Sequence, residues 1–223
     1  DWGQLLGVDP KTGHQRYLGG GSFYPTKAHA MALDGSDIAL VALEGAVSRV
    51  DLSTGERWQV AEHELLRRAT GIVRAPSGRI IVTAIPDRVL AIDEASGSVS
   101  VVSEGKLLWH PHAVAVENQR AVLVGTSGRS AEGEPAGILR VDLETGAQQL
   151  LVSGPFETIG GIAFEADGSL LVGDNGRGAP GDGFIARVNP RTRQVHVLVS
   201  GETSGRRFLN GRSVAVVGMH GPS

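Results

Sequence analysis

The chain has 223 residues, 21 basic against 24 acidic, with 32 glycines, seven histidines and no cysteine. A formal charge of −3 spread without blocks leaves no footprint for nucleic acid or an acidic membrane surface, and the lack of cysteine excludes thiol catalysis, disulfides and thiolate metal sites. Abundant glycine, 4% aromatic residues and no long apolar run exclude a helical bundle and a membrane-spanning helix; the chain reads as one soluble domain over 1–223, trimmed or processed at its start.

Taken in chain order, one phrase recurs. It is written "LLGVDPKTGHQRYL", then "AVSRVDLSTGERWQV", "RVLAIDEASGSVSVV", "GILRVDLETGAQQLLV" and "FIARVNPRTRQVHVLV". Its anchors are Asp9, Asp51, Asp93, Asp142 and Asn189, at steps of 42, 42, 49 and 47. The side chain of Asp or Asn accepts hydrogen bonds from amides two or three residues on. The glycine that follows (Gly13, Gly55, Gly97, Gly146) supplies the positive φ that reverses the chain. The fifth copy has Arg193 at that place, so its turn is expected to differ. On both sides of the turn the apolar residues alternate with polar ones, which is strand patterning.

A second hairpin lies between anchors: "HAMALDGSDIALVAL", "GIVRAPSGRIIVTAI", "HAVAVENQRAVLVG" and "GIAFEADGSLLVGD". Asp34-Gly35, Ser77-Gly78 and Asp167-Gly168 are two-residue turn signals between apolar strands. "EHELLRRA" (62–69) has room for one or two helical turns. Each repeat therefore holds four strands, and a four-stranded antiparallel meander repeated about every 45 residues predicts the blades of a β-propeller. The chain starts inside a third strand at Leu5 and ends on a first strand, "SVAVVG" (213–218). One blade is then assembled from both termini, which closes the ring and leaves no long free edge. The expectation is an all-β, five-bladed propeller of four-stranded antiparallel blades, with a truncated six-bladed ring as the alternative.

The phrases "GIAFEADGSLLVGDNG" and "ILRVDLETG" resemble the blade repeats of the NHL, gluconolactonase-like (regucalcin) and virginiamycin B lyase-like propellers. That resemblance implies a propeller and suggests a divalent cation (Ca, Mg or Zn) with lactonase, hydrolase or lyase chemistry. The gluconolactonase-like members hold a metal with a Glu, an Asn of an Asn-Gly pair and an Asp. Asn210-Gly211 resembles that pair and Asp174 the Asp, while the nearest Glu, Glu44, follows a second strand instead of preceding a first one. "HPHAVAV" resembles the Pro-His-Gly phrases of the lyases, where a histidine serves as base, but the partner Glu and second His of that group have no counterpart here.

In such a blade the first strand begins, the second ends and the third begins on one face. Alignment places His29, Thr70, His112, Gly160 and Arg212 at the starts of the first strands, with Lys27, His110 and Asn210 two residues earlier. Two loops on that face are long and glycine-rich, 125–137 and 173–183, and such loops are where a repetitive scaffold carries function. A channel mouth lined by His29, His112, Arg212, Asn210, Lys27 and Trp109 suits a small-molecule or protein/peptide ligand through hydrogen bonds and stacking. Asp174, Asn175 and Asp182 offer the oxygen ligands of a cation site. The plain alternative makes His110 and His112 wet residues at a strand start and "GDNG" a tight turn. The reading is a monomeric binding or scaffold propeller, secreted or periplasmic, with metal-dependent catalysis as the alternative. Arg49, Arg140 and Arg187 occupy equivalent third-strand positions and are expected to form salt bridges that recur with the repeat.

Overall fold

A computed structural model describes residues 5–9, 11–18, 27–128, 136–176 and 183–201. The described residues form 18 strands and a single short helix. β1 (Leu5–Val8) and β2 (Gln15–Leu18) make a two-stranded ribbon. Four four-stranded sheets follow, each running in sequence order from one edge to the other. The first joins β3 (Ala28–Leu33), β4 (Ile38–Leu43), β5 (Ala46–Asp51) and β6 (Arg57–Glu62). The second joins β7 (Ala69–Arg74), β8 (Ile80–Ala84), β9 (Arg88–Ile92) and β10 (Val99–Glu104). The third holds β11 (Ala113–Val116), β12 (Ala121–Gly125), β13 (Gly137–Asp142) and β14 (Gln148–Ser153). The fourth holds β15 (Ile159–Phe164), β16 (Leu170–Asp174), β17 (Phe184–Val188) and β18 (Val195–Ser200). A 3₁₀-helix at Glu64–Arg68 fills the stretch read as one or two helical turns.

The described residues therefore hold four four-stranded blades where five were expected, with β1 and β2 as a separate two-stranded sheet. The first strand expected at 213–218 lies outside the described residues.

The anchor turns explain why each meander doubles back. The Asp51 carboxylate accepts from the amides of Ser53 and Thr54 at 2.8 and 2.9 Å, and Gly55 N donates to Asp51 O at 2.8 Å. Gly13, Gly55, Gly97 and Gly146 all adopt positive φ, between 69° and 78°. The Ser53 hydroxyl and the two amides hold the Asp51 carboxyl down at about 2, and Asp9, Asp93 and Asp142 are lowered from the usual carboxylate range by the same kinds of bond.

The fifth turn corrects the sequence reading, because it does not differ. Asn189 Oδ1 accepts from Arg191 N and Thr192 N at 2.9 and 3.0 Å, and Arg193 N donates to Asn189 O at 2.8 Å. Arg193 takes up φ 62° to make this bond. The hydrogen-bonding frame of the turn is strong enough to hold an L-residue in the left-handed region, which costs roughly 1–2 kcal/mol.

The recurrent arginines do form ion pairs. Arg140 on β13 grips Glu117 through both Nε and Nη2, and its Nη1 donates to Gln149 on the facing strand at 3.2 Å. Arg187 on β17 grips Glu165 at 2.6 and 2.8 Å. In each case the acid stands just past the first strand of the same sheet. The second sheet carries Ala91 and Ala75 at those two places, so arginine and acid are both missing there.

The chain divides into two compact units by its internal contacts, Asp1–Ala84 with Val89–Val101, and Ile85–Arg88 with Val102–Ser223. In the first, Leu40, Leu66, Ile80, Leu90 and Ile92 are wholly buried together, and a smaller cluster of Ala39, Val41, Leu43 and Val50 takes Leu5 of β1 against it. In the second, Leu123, Ile138, Ile159, Leu170 and Val188 form the core with Phe156, whose ring stacks on Phe184 at 5.8 Å. Branched aliphatics dominate because they fit the pleated, two-sided surfaces that sheet packing demands.

Candidate functional site

The strand starts singled out in the sequence share a backbone feature. In the first sheet Ala28 pairs with Leu43 and the ladder resumes at Ala30 with Ala42, leaving His29 as the extra residue of a β-bulge. Thr70 is the extra residue of β7, between Ala69–Ala84 and Gly71–Thr83, and Gly160 that of β15. On β11 the amide of His112 donates to Gly125 O at 2.9 Å, the residue that Ala113 also faces. Bulges bend the strand and re-aim side chains, and they concentrate at rims and beside sites. Among the described residues, His29, Thr70 and Gly160 are thus equivalent in structure as well as in sequence.

In the first unit this sheet end carries His29 and Lys27, both exposed. The Glu44 amide donates to the Lys27 carbonyl at 3.2 Å, so Glu44 sits at the same end. The Thr70 hydroxyl donates to Thr83 O at 3.1 Å.

In the second unit the connection from β10 to β11 is a fastened strap. Leu108 is wholly buried beneath it. Gly105 N donates to Asp87 O at 2.9 Å, Leu107 N to Gln148 Oε1 at 2.9 Å, and His110 N to Pro86 O at 2.7 Å. Ser127 N donates back to Trp109 O at 3.1 Å. The Trp109 and His110 rings stack with centroids 4.5 Å apart and planes 11° from parallel. His110 has φ 42°, a conformation that few non-glycine residues hold unless their surroundings fix it. The sequence reading set His110 aside as a neighbour of His112, yet it carries both the backbone strain and the ring contact. Both rings are half-buried, so the pair presents a pre-formed aromatic edge.

Asp174 closes β16 and is 4% exposed. Its Oδ2 accepts from Glu157 N and Thr158 N, each at 3.0 Å, and its Oδ1 accepts from Gly176 N at 2.7 Å. Burial pushes its carboxyl up from the usual range, and the three amides pull it back. Both oxygens are engaged by backbone amides. They fasten the 157–158 segment to the turn that follows β16. Asn175 N donates to Thr158 O at 2.9 Å, and a Cβ on Gly160 would lie 2.6 Å from the Asn175 side-chain nitrogen. Only glycine at 160 leaves room for that amide group. Among the described residues no three His, Asp or Glu side chains gather as a metal-binding group. Asp182, Asn210 and Arg212 lie outside the described residues, as do 129–135 and 177–182 of the two long loops.

No protein family matches the chain, and no curated protein matches it significantly. Solved structures do. A nidogen/laminin complex contains a chain 16% identical, with a TM-score of 0.69 over 87% of this chain and 73% of that one. Two structures of the extracellular domain of a B. thetaiotaomicron protein, described in one as a hybrid two-component system and in the other as a one-component system, match at TM-scores of 0.57 and 0.60, with 16% and 14% identity. They cover 82% and 89% of this chain, which spans only 24% and 26% of theirs. At such identities the likeness concerns the fold alone: all-β, with four-stranded antiparallel blades in a propeller arrangement. Among the described residues no helix is long and apolar enough to cross a membrane.

Proposed function

We propose that the chain is a ligand-binding or scaffold propeller that meets its partner at the edges where the innermost strands begin. The observation that carries this reading is the run of bulges at His29, Thr70 and Gly160, which re-aim equivalent residues in separate sheets at one kind of edge. The strap with the Trp109–His110 stack adds a rigid, amphipathic contact surface of the kind that anchors small ligands and peptides. The neighbour at TM-score 0.69 is itself a protein complex, which supports a protein or peptide partner beside a small molecule. Asn210 and Arg212 belong to the same proposed edge by sequence alignment. The resemblance to metal-dependent lactonases and lyases draws no support from Asp174, whose oxygens serve three amides.

The same proposal takes the chain as five-bladed and monomeric, the fifth blade completed by residues 213–218 beside β1 and β2. The exposed apolar residues Met31 and Leu33 on β3 and Leu6 and Val8 on β1 support it, since they lack the cover that Ile72 has on β7, the other innermost strand of the first unit.

The test is a thermal-shift screen of small molecules and short peptides on the intact chain and on a His29→Ala, Trp109→Ala variant. A true ligand at a hundred times its Kd stabilises by about 2.7 kcal/mol. Loss of the aromatic anchor should weaken its binding about tenfold. Ligands that bind the variant unchanged would place the site elsewhere.

A further inference from the structure

The repeat makes one arginine conspicuous. Arg140 and Arg187 each hold an acid of their own sheet through two nitrogens. Arg49, their equivalent on β5, does not. Its acid is Asp34, which Arg74 on β7 has captured at 2.7 Å, leaving Arg49 Nη2 at 4.0 Å from the same oxygen. Arg49 keeps one bond, from Nη1 to Glu94 at 2.8 Å, and Glu94 is itself shared with Arg74 at 2.7 Å. Arg49 Nε is buried with no hydrogen-bond partner. A guanidinium with five donors and one firm acceptor is under-satisfied, and desolvated donors without acceptors are costly.

The residue facing Arg49 departs from the repeat as well. Gln149 faces Arg140 and accepts from it, and His196 faces Arg187, but Trp58 faces Arg49. An indole has no acceptor to offer. Trp58 is 48% exposed, the only tryptophan or tyrosine at that register of a fourth strand among the described residues. On β6 the ladder passes from Ala61–Val47 to Gln59–Ser48, so Val60 is the extra residue of a bulge. That distortion lets three consecutive residues, Trp58, Gln59 and Val60, line one cleft of about 360 Å³ together with Ile38, Arg49 and Glu94. The volume falls at the lower end of the ~300–1,000 Å³ typical of small-molecule sites.

We infer that this cleft is a second binding site, for a neutral sugar ring. Trp58 offers an apolar platform to the C–H face of a pyranose. Arg49 as donor beside Glu94 as acceptor, with the Gln59 amide able to do either, matches adjacent hydroxyls that each need one donor and one acceptor. The two arginines and two acids of the cluster sum to zero charge, and Glu94 within the lining opposes an anionic ligand. A neutral polyhydroxyl ring supplies the acceptor that Arg49 lacks without adding charge. All six lining residues belong to the first unit.

The test is a calorimetric titration of the intact chain with glucose, galactose, mannose, xylose and their β1,4-linked disaccharides, up to about 50 mM, which detects binding weaker than the millimolar affinity worth about 4 kcal/mol. At least one of these probes should bind, Trp58→Ala should weaken it tenfold or more, and Trp109→Ala should leave it unchanged. Arg49→Lys keeps the charge but loses the planar fork, so it should also weaken binding. Thermal melts of each variant separate loss of the site from loss of the fold, and Trp58→Phe serves as the milder change if Trp58→Ala does not fold. No heat of binding with any probe, or binding unaffected by the Trp58 and Arg49 variants, overturns the inference.

Discussion

Gly146→Ala is expected to destabilise this protein by about 3 kcal/mol or more, a cost in the range reserved for backbone strain and overpacking. Two effects add. Gly146 has φ 69°, where an L-residue costs roughly 1–2 kcal/mol. A Cβ there would also press into the carbonyl oxygen of Val102, a backbone atom that cannot swing aside. Ser103 Oγ donates to Gly146 O at 2.7 Å, which ties the turn to β10 and blocks its retreat. Gly13 is the control, because it has the same turn and φ 71° with nothing within 4 Å of its would-be Cβ. Gly13→Ala should cost only the conformational share, about 1 kcal/mol. Arg193→Gly should stabilise by about 1 kcal/mol by releasing the same strain. Urea unfolding of the three variants reads all of this. Equal losses for Gly146→Ala and Gly13→Ala would show that the contact with Val102 contributes nothing.

Asp174→Ala is expected to cost about 3 kcal/mol, since it leaves the buried amide of Gly176 and the half-buried amides of Glu157 and Thr158 without their acceptor, at roughly 1–3 kcal/mol for a fully buried donor and less for the other two. Asp174→Asn keeps one carbonyl oxygen and turns the other position into a donor facing donors, so it should lose about 2 kcal/mol. Both losses should be the same with and without a chelator. If Asp174 instead served a resident cation, the wild-type chain would fall to the level of the Asn variant on chelation, and the variant would not respond. Unfolding midpoints with and without EDTA distinguish the two roles.

What the sequence made legible is what is local. The bonds from Asp51 to the amides of Ser53 and Thr54 span two and three residues, so the residue types alone specify the turn. The four meanders follow from these turns and the alternation between them. The error at Arg193 has the same origin in reverse. Glycine is preferred at positive φ, but the bond from Arg193 N to Asn189 O and the Asn189 cap impose the conformation on whatever residue is there.

The site was less legible because its determinants are distant in sequence. The strain at His110 is held by the carbonyl of Pro86, on a different strand connection. Asp174 stands in "GDNG", which suits a cation as well as a turn. Its three amide donors include two from residues 157 and 158, which no local pattern announces. The alignment of Arg49, Arg140 and Arg187 was visible, but not that Arg74 takes Asp34 away from Arg49. The missing pair at Ala75 and Ala91 was the available signal: a repeat that drops an arginine and its acid together frees a neighbour to recruit the acid next door.

The proposed fifth blade requires residues 213–218 to pair beside β1 and β2. Amide hydrogen exchange on the intact chain measures this directly. That proposal predicts that the amides of 213–218 are protected to the degree of those in β4, since a strand paired into a blade would exchange only with global unfolding. Exchange of that segment at the rate of a free peptide, while β4 stays protected, would contradict it.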